Sequence, residues 1–196
     1  MTTLTTLTTS PVLVMKQLTS TTRCDFDILD GTGAVVGAVV TQGGALGRFL
    51  TGPRQLTVSD RDGSPYVHVD DAPNFGRDRY DLVAPDGARI GRITKEFTFF
   101  RKRLTVEVAG GRSYEMNERD LMDREFDISG PGGRLVSVRR AWPGIIDSLL
   151  SRSTYVVAFE ADEDPVLRRA ALGAVIALEL IRLKARKNSG ATTTMM

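Results

Sequence analysis

Few residues in this chain can do covalent chemistry. There is one histidine, His68 in "YVHVDD", and one cysteine, Cys24. A thiol and an imidazole can act as nucleophile and base when they meet. Both sit in alternating, strand-like surroundings, where packing or surface roles account for them. No catalytic residue is assigned, and the chain reads as non-enzymatic. Zinc sites take several Cys or His at set spacing, which this pair does not supply. "SDRDGS", Ser59 to Ser64, resembles a fragment of a calcium loop but lacks the later ligands and the closing glutamate. A hairpin turn accounts for Asp60, Asp62 and Gly63. The glycine-rich "TQGGALGRFLTG", from Thr41, lacks the Gly-Lys-Ser/Thr and the βαβ setting of a phosphate loop. No metal and no cofactor is expected.

One segment points to binding. "RIGRITKEFTFFRKRL" carries Arg89, Arg92, Lys95, Arg101, Lys102 and Arg103 against Glu96, with Phe97, Phe99 and Phe100 interleaved. On alternating strands the phenylalanines can face a core while the basic side chains face solvent. The sharper reading is a site for anionic lipid headgroups. Near such a surface each basic residue contributes roughly 1 kcal/mol, less in salt. Arg139 and Arg140 extend this candidate set. The partners expected are an anionic phospholipid or membrane surface, or else another protein. A net charge of +2 gives no nucleic-acid signal.

These residues need a scaffold, and the chain supplies strands. A short alternating run, a Gly/Asp turn and a second run recur from Phe26, Leu56, Tyr80, Leu104 and Phe126. The spacing is about 24 residues, as for stacked or closed hairpins. Gly31, Gly63, Gly87, Gly110 and Gly132 are assigned to the turns. Five hairpins, "PVLVMKQ" before them and "TYVVAF" after them make twelve strands. Closing such a sheet removes its edges, but about eight strands already use up what inward side chains can fill.

The filler is "EDPVLRRAALGAVIALELIR", Glu163 to Arg182. Asp164 is a good N-cap and Pro165 suits the first helical position. Asp162 to Asp164 and the basic residues from Arg182 to Lys187 complement the helix dipole. The spacing predicts a helix over 165–187, apolar on every face around Leu172, Gly173, Ala174, Val175, Ile176 and Leu178. Its charge-free stretch is shorter than the ~20 residues needed to span a bilayer, so it reads as a core helix. The fold class is therefore mainly β: a closed twelve-stranded antiparallel barrel around a buried C-terminal helix.

The chain has 196 residues and is 41% hydrophobic, enough for one domain with a proper core. Residues 1–10 read as a disordered threonine-rich tail, 11–187 as the barrel domain and 188–196 as a second disordered tail. With one cysteine and no visible signal peptide, a cytoplasmic location is expected, with peripheral membrane contact as an option.

The stretch from Trp142 to Leu180, "WPGIIDSLLSRSTYVVAFEADEDPVLRRAALGAVIALEL", resembles the C-terminal end of the phospholipid scramblases. Trp142 and Gly144 match that family's start, and Tyr155, Val157 and Phe159 its last strand. Asp164 matches the acidic turn, Leu172-Gly173-Ala174 the helix, and Glu179 the acidic residue closing it. The repeated "FDILDGTGAVVG" units resemble the LURP-one-related family. Both belong to the tubby C-terminal-like superfamily, so the resemblance implies a twelve-stranded barrel around a central helix and a theme of lipid or ligand binding. Where scramblases carry a calcium-binding acidic run, this chain reads "LSRSTY" with no carboxylate. The expected function is a binding barrel for an anionic lipid or other ligand. The alternatives are a protein-binding module and, less favoured, a membrane-inserted scramblase.

Overall fold

The computed structural model describes residues 6–18, 24–42, 54–71, 78–96, 102–120, 124–141, 153–160 and 164–192. Twelve strands run in chain order: β1 (Val12–Gln17), β2 (Phe26–Asp30), β3 (Val35–Thr41), β4 (Arg54–Asp60), β5 (Pro65–Asp71), β6 (Arg79–Val83), β7 (Arg89–Lys95), β8 (Arg103–Val108), β9 (Arg112–Glu118), β10 (Glu125–Gly130), β11 (Gly133–Ala141) and β12 (Thr154–Phe159). One helix follows, α1 (Pro165–Thr192). Each strand pairs antiparallel with its sequence neighbours. β1 also pairs with β12, Val14 opposite Val156, which closes the barrel.

Alternation builds the wall. On β8, Leu104, Val106 and Val108 are buried while Arg103 and Glu107 are exposed. The hairpin turns share a finer rule. Four of them carry a register shift next to the turn, at Ile28/Leu29, Val58/Ser59, Leu82/Val83 and Ile128/Ser129. In the first three the fourth residue of the turn is a glycine with positive φ whose N–H returns to the residue three earlier, as Gly33 donates to the Asp30 carbonyl at 3.0 Å. This is a type I turn followed by a left-handed bulge residue. The glycines with positive φ in the first and fifth hairpins are therefore Gly33 and Gly133, not Gly31 and Gly132. The Asp62 carboxylate is held within its turn by the Ser64 N–H at 2.9 Å and hydroxyl at 3.0 Å.

α1 lies inside the barrel. Every residue from Ala170 to Leu183 is buried. Of its large aliphatics, Leu167, Leu172, Val175, Ile176, Leu178, Leu180 and Ile181 are within the core and Val166 is half-buried against it. Each such burial contributes roughly 1.5–3 kcal/mol, an upper estimate. Gly173 sits where a β-carbon would collide with the Leu82 side chain on β6 and approach Ile93 on β7. Asp164 caps the helix as expected, its Oδ1 accepting the Val166 N–H at 2.8 Å. That bond comes first, and the Arg112 partnership adds to it, in holding the Asp164 carboxyl below the ordinary value.

Two boundaries differ from the sequence reading. Residues 6–10 are not a loose tail. Leu7 and Ser10 are fully buried, and Arg168 Nη1 donates to the carbonyls of Leu7 at 3.2 Å and Ser10 at 2.8 Å. The buried guanidinium thus recruits chain upstream of the barrel as an end plug. At the other end α1 continues to Thr192, so its last turn holds no basic residue. Arg182, Lys184 and Arg186 act through side-chain partners in the body of the helix, not as dipole caps. Asp162 and Glu163 lie outside the described residues.

A polar side chain forced into this helix must lose its hydration inside an apolar wall. Ala174→Asp is expected to give insoluble or unfolded protein, and Gly173→Leu to cost about 1–3 kcal/mol or more through overpacking. Circular dichroism and thermal melting check this; a melt of Ala174→Asp close to wild type would contradict the buried helix.

Candidate functional site

The barrel has two unlike ends. The tight hairpin turns and the start of α1 share one end. The other is a mouth from which the longer connections leave, after β1, β3, β5, β7, β9 and β11. The C-terminal half of α1 emerges there. Lys184 Nζ meets Asp71 at 2.8 Å and Asp78 at 3.0 Å.

The basic residues singled out from sequence divide between wall and mouth. Arg89 is exposed at the turn end of β7, and among the described residues it has no ion-pair partner. Arg92 sits half-exposed on the wall and donates from Nε to Asp81 on β6 at 2.8 Å, with Glu107 of β8 opposite it. That hydrogen bond and the Asp81 charge raise its pKa. Arg103 is exposed on β8. Lys95 approaches Asp78 at 3.8 Å, and the Lys102 backbone N–H donates to Glu118 at 2.7 Å. Arg139 is across the barrel on β11, paired to Glu125 at 3.2 Å. Arg140, next in chain, donates from Nη2 to the Ser153 hydroxyl at the mouth, at 3.3 Å. Arg101, with Phe97, Phe99 and Phe100, lies outside the described residues.

One groove gathers part of this set. It runs over the outer ends of β7, β8 and β9, encloses about 370 Å³ and is lined by Arg89, Arg92 and Arg112, with Glu107 on its wall. Arg112 was not among the residues picked out from sequence. It enters because β9 lies beside β8, with Arg112 paired to Val108. It also forms an ion pair with Asp164, the cap of α1.

Inside the mouth lies a buried polar knot. Glu179 is fully buried, and its Oε2 accepts the Tyr155 hydroxyl at 2.6 Å. Arg186 donates to Oε1 at 3.2 Å, and Arg182 reaches both Tyr155 and Glu179. Burial, then the Glu179 charge, push the Tyr155 phenol well above its ordinary value. The phenol therefore stays a hydrogen-bond donor. Chemistry is harder to find elsewhere. Cys24 is buried in the core, with its backbone N–H on Thr41, while His68 is half-exposed on the wall and bonded to Thr57. These two side chains do not form a dyad. Among the described residues, no group of three or more His, Cys, Asp or Glu could hold a metal. No described helix is long and apolar enough to cross a membrane.

The closed barrel threaded by a helix narrows the comparison, and a family model decides it: the LURP-one-related model matches residues 12–179. The chain belongs to the LURP-one-related family. The X-ray structure of a protein from Arabidopsis thaliana is similar in fold, with a TM-score of 0.57 at 13% identity, over 88% of this chain and 93% of that one. No curated protein is similar in sequence at a significant level. The match takes in all twelve strands and α1 as far as Glu179, so the knot around Tyr155 and Glu179 straddles the boundary of the LURP-one-related region.

That knot has a measurable pH signature. An unfolded tyrosine ionises near pH 10, whereas folded Tyr155 holds its proton beyond that. The folded state then binds more protons above pH 10, so stability must fall as pH rises through it. Tyr155→Phe is expected to lose less stability over that range, by up to about 1.4 kcal/mol per pH unit. Urea unfolding at successive alkaline pH values measures the slope; equal slopes for both proteins would contradict a phenol held neutral by burial and Glu179.

Proposed function

We propose that this LURP-one-related barrel is a non-enzymatic binding protein that takes anionic phospholipid headgroups on its outer wall, in the groove over β7–β9. The observation that carries the reading is the grouping of Arg89, Arg92 and Arg112 around one concave surface, with Arg89 lacking an acidic partner among the described residues. Arginine's planar fork suits phosphate oxygens, and a clustered set suits a charged surface better than scattered lysines. Arg103 continues the basic character along the same wall toward the mouth. Asp81 and Asp164 hold Arg92 and Arg112 in place and also share their charge, so the expected attachment is peripheral and sensitive to salt. The working location is the cytosolic face of a membrane.

A second reading, a protein-binding module, draws on the opposite wall. There Val35 and Val40 of β3 are 46% and 52% exposed. Val14 lies between Val156 and Leu29 in the cross-strand rows of the same wall.

Flotation with phosphatidylcholine vesicles, with and without an anionic phospholipid, tests the choice. Wild type should float only with the anionic vesicles, and raising salt should release it. The triple variant Arg89→Ala, Arg92→Ala, Arg112→Ala should partition at least about tenfold less. Equal recovery of both proteins overturns the groove. A protein that ignores anionic vesicles altogether but forms a complex lost on Val40→Asp supports the second reading.

A further inference from the structure

The wall of β10, β11 and β12 carries a second groove, which encloses about 340 Å³. Its floor follows from register. Asp127, Ser137 and Ala158 stand side by side in one outward row across the three strands. Ser137 and Ala158 are short, so the wall dips there. Longer side chains border the dip, with Arg139 and Val156 in the row toward the mouth and Arg134 toward the turn end.

Asp127 is the unusual member of the row. It faces outward, yet it is only 8% exposed. Its Oδ2 accepts from Arg119 Nη1 at 2.6 Å, and Arg119 is its one side-chain partner among the described residues. A carboxylate can accept from several donors, so Oδ1 is left without a described partner. That oxygen is not sealed in the wall and keeps access to the groove. The neighbouring Ser137 hydroxyl makes no hydrogen bond to a described residue. The rim is basic. Arg134 and Arg139 are 53% and 73% exposed, and each is held at one point, by Glu160 and Glu125 at 3.2 Å. The other N–H groups of both guanidinium forks have no described acceptor.

This arrangement selects by charge. A simple anion drawn to the rim would meet the Asp127 carboxylate on the floor. A simple cation drawn to Asp127 would lie among Arg119, Arg134 and Arg139. A molecule carrying both charges answers both. A primary ammonium supplies donors for Asp127 Oδ1 and Ser137 Oγ, and an oxyanion supplies acceptors for an arginine fork. Successive outward positions on a strand lie roughly 6.5–7 Å apart, so Ser137 and Arg139 call for a short linker between the two charges.

We infer that the groove over β10–β12 binds a small zwitterion, a primary ammonium joined by a short linker to a carboxylate or phosphate. Asp127 and Ser137 take the ammonium, and Arg139 and Arg134 take the oxyanion. The site shares no lining residue with the groove over β7–β9 and stands whether or not that groove binds lipid.

The test is an amide chemical-shift titration of the full chain with phosphoethanolamine and with β-alanine, which share amine and linker and differ in the oxyanion. At least one should give saturable shifts centred on Asp127, Ser137 and Ala158, and the one that does identifies the oxyanion. Phosphocholine, whose nitrogen carries no N–H, and inorganic phosphate should bind at least about tenfold more weakly. Asp127→Asn keeps an oxygen for Arg119 but loses the charge, and should weaken binding to a similar degree. Ala158→Leu fills the dip with every charge left in place, and should abolish the shifts. The Arg89, Arg92, Arg112 triple alanine variant should titrate as wild type does. Absence of saturable shifts at these three residues with either probe would overturn the inference. So would equal affinity for phosphocholine, or unchanged binding in Ala158→Leu. Sedimentation with phosphatidylcholine vesicles, with and without phosphatidylethanolamine, then separates the sources. Retention that needs phosphatidylethanolamine and is lost in Ala158→Leu places the amine on a lipid headgroup; titration by a free probe with no retention makes the ligand a free solute, and either result upholds the zwitterion site. These vesicles carry no net charge, so the outcome is separate from flotation with anionic phospholipid.

Discussion

A closed sheet of twelve strands encloses more space than its own inward side chains can fill, and the rest of this molecule follows from how that space is filled. α1 is the filler. It can be uncharged from Ala170 to Leu178 because no face of it meets water, and it can approach the wall at Leu82 because residue 173 is glycine. Its amphipathic ends then define the two ends of the barrel. Arg168 secures the Leu7 plug at the turn end, while Glu179, Arg182 and Lys184 meet strand-end side chains at the mouth.

Filling the interior with a helix leaves little of it for ligand. The candidate groove accordingly lies on the outside of the wall. The wall groove is built from residues exposed by the two-residue alternation of β7, β8 and β9. The polar knot at the mouth is built where alternation ends, and polar side chains of inward register turn toward the helix. Arg139 and Arg140 show the difference across one peptide bond: one pairs with Glu125 on the wall, and the other reaches Ser153 at the mouth. Adjacent basic residues on a strand are not one patch.

Much of the fold was legible in the sequence because its signals are local. Alternation in "LTVEV" announces β8, Asp-Pro announces the start of α1, and a repeated hairpin of near-constant length announces a closed sheet. The turn glycines were half legible. Gly33 and Gly133 follow from counting four residues from the strand end, which gives the bulge its left-handed residue; choosing the first glycine in the turn missed this. The sites were less legible because they depend on register between segments far apart in the chain. Arg112 joins Arg89 and Arg92 only through strand pairing. Asp127, Ser137 and Ala158 form one row only when β10, β11 and β12 pair in register. Leu7 looked like tail because threonine-rich composition says nothing of a buried arginine seeking carbonyls.

Native-state amide hydrogen exchange tests the central claim most directly. If α1 fills the barrel, its amides can open only when the wall does. The backbone N–H groups of Leu172 to Leu180 should then exchange at the slowest rate in the molecule, with the opening free energy of global unfolding and the same urea dependence as the β6 and β7 amides. Exchange in that segment much faster than in the surrounding strands would show a helix that leaves the barrel while the wall stays closed, and would contradict the role assigned to it.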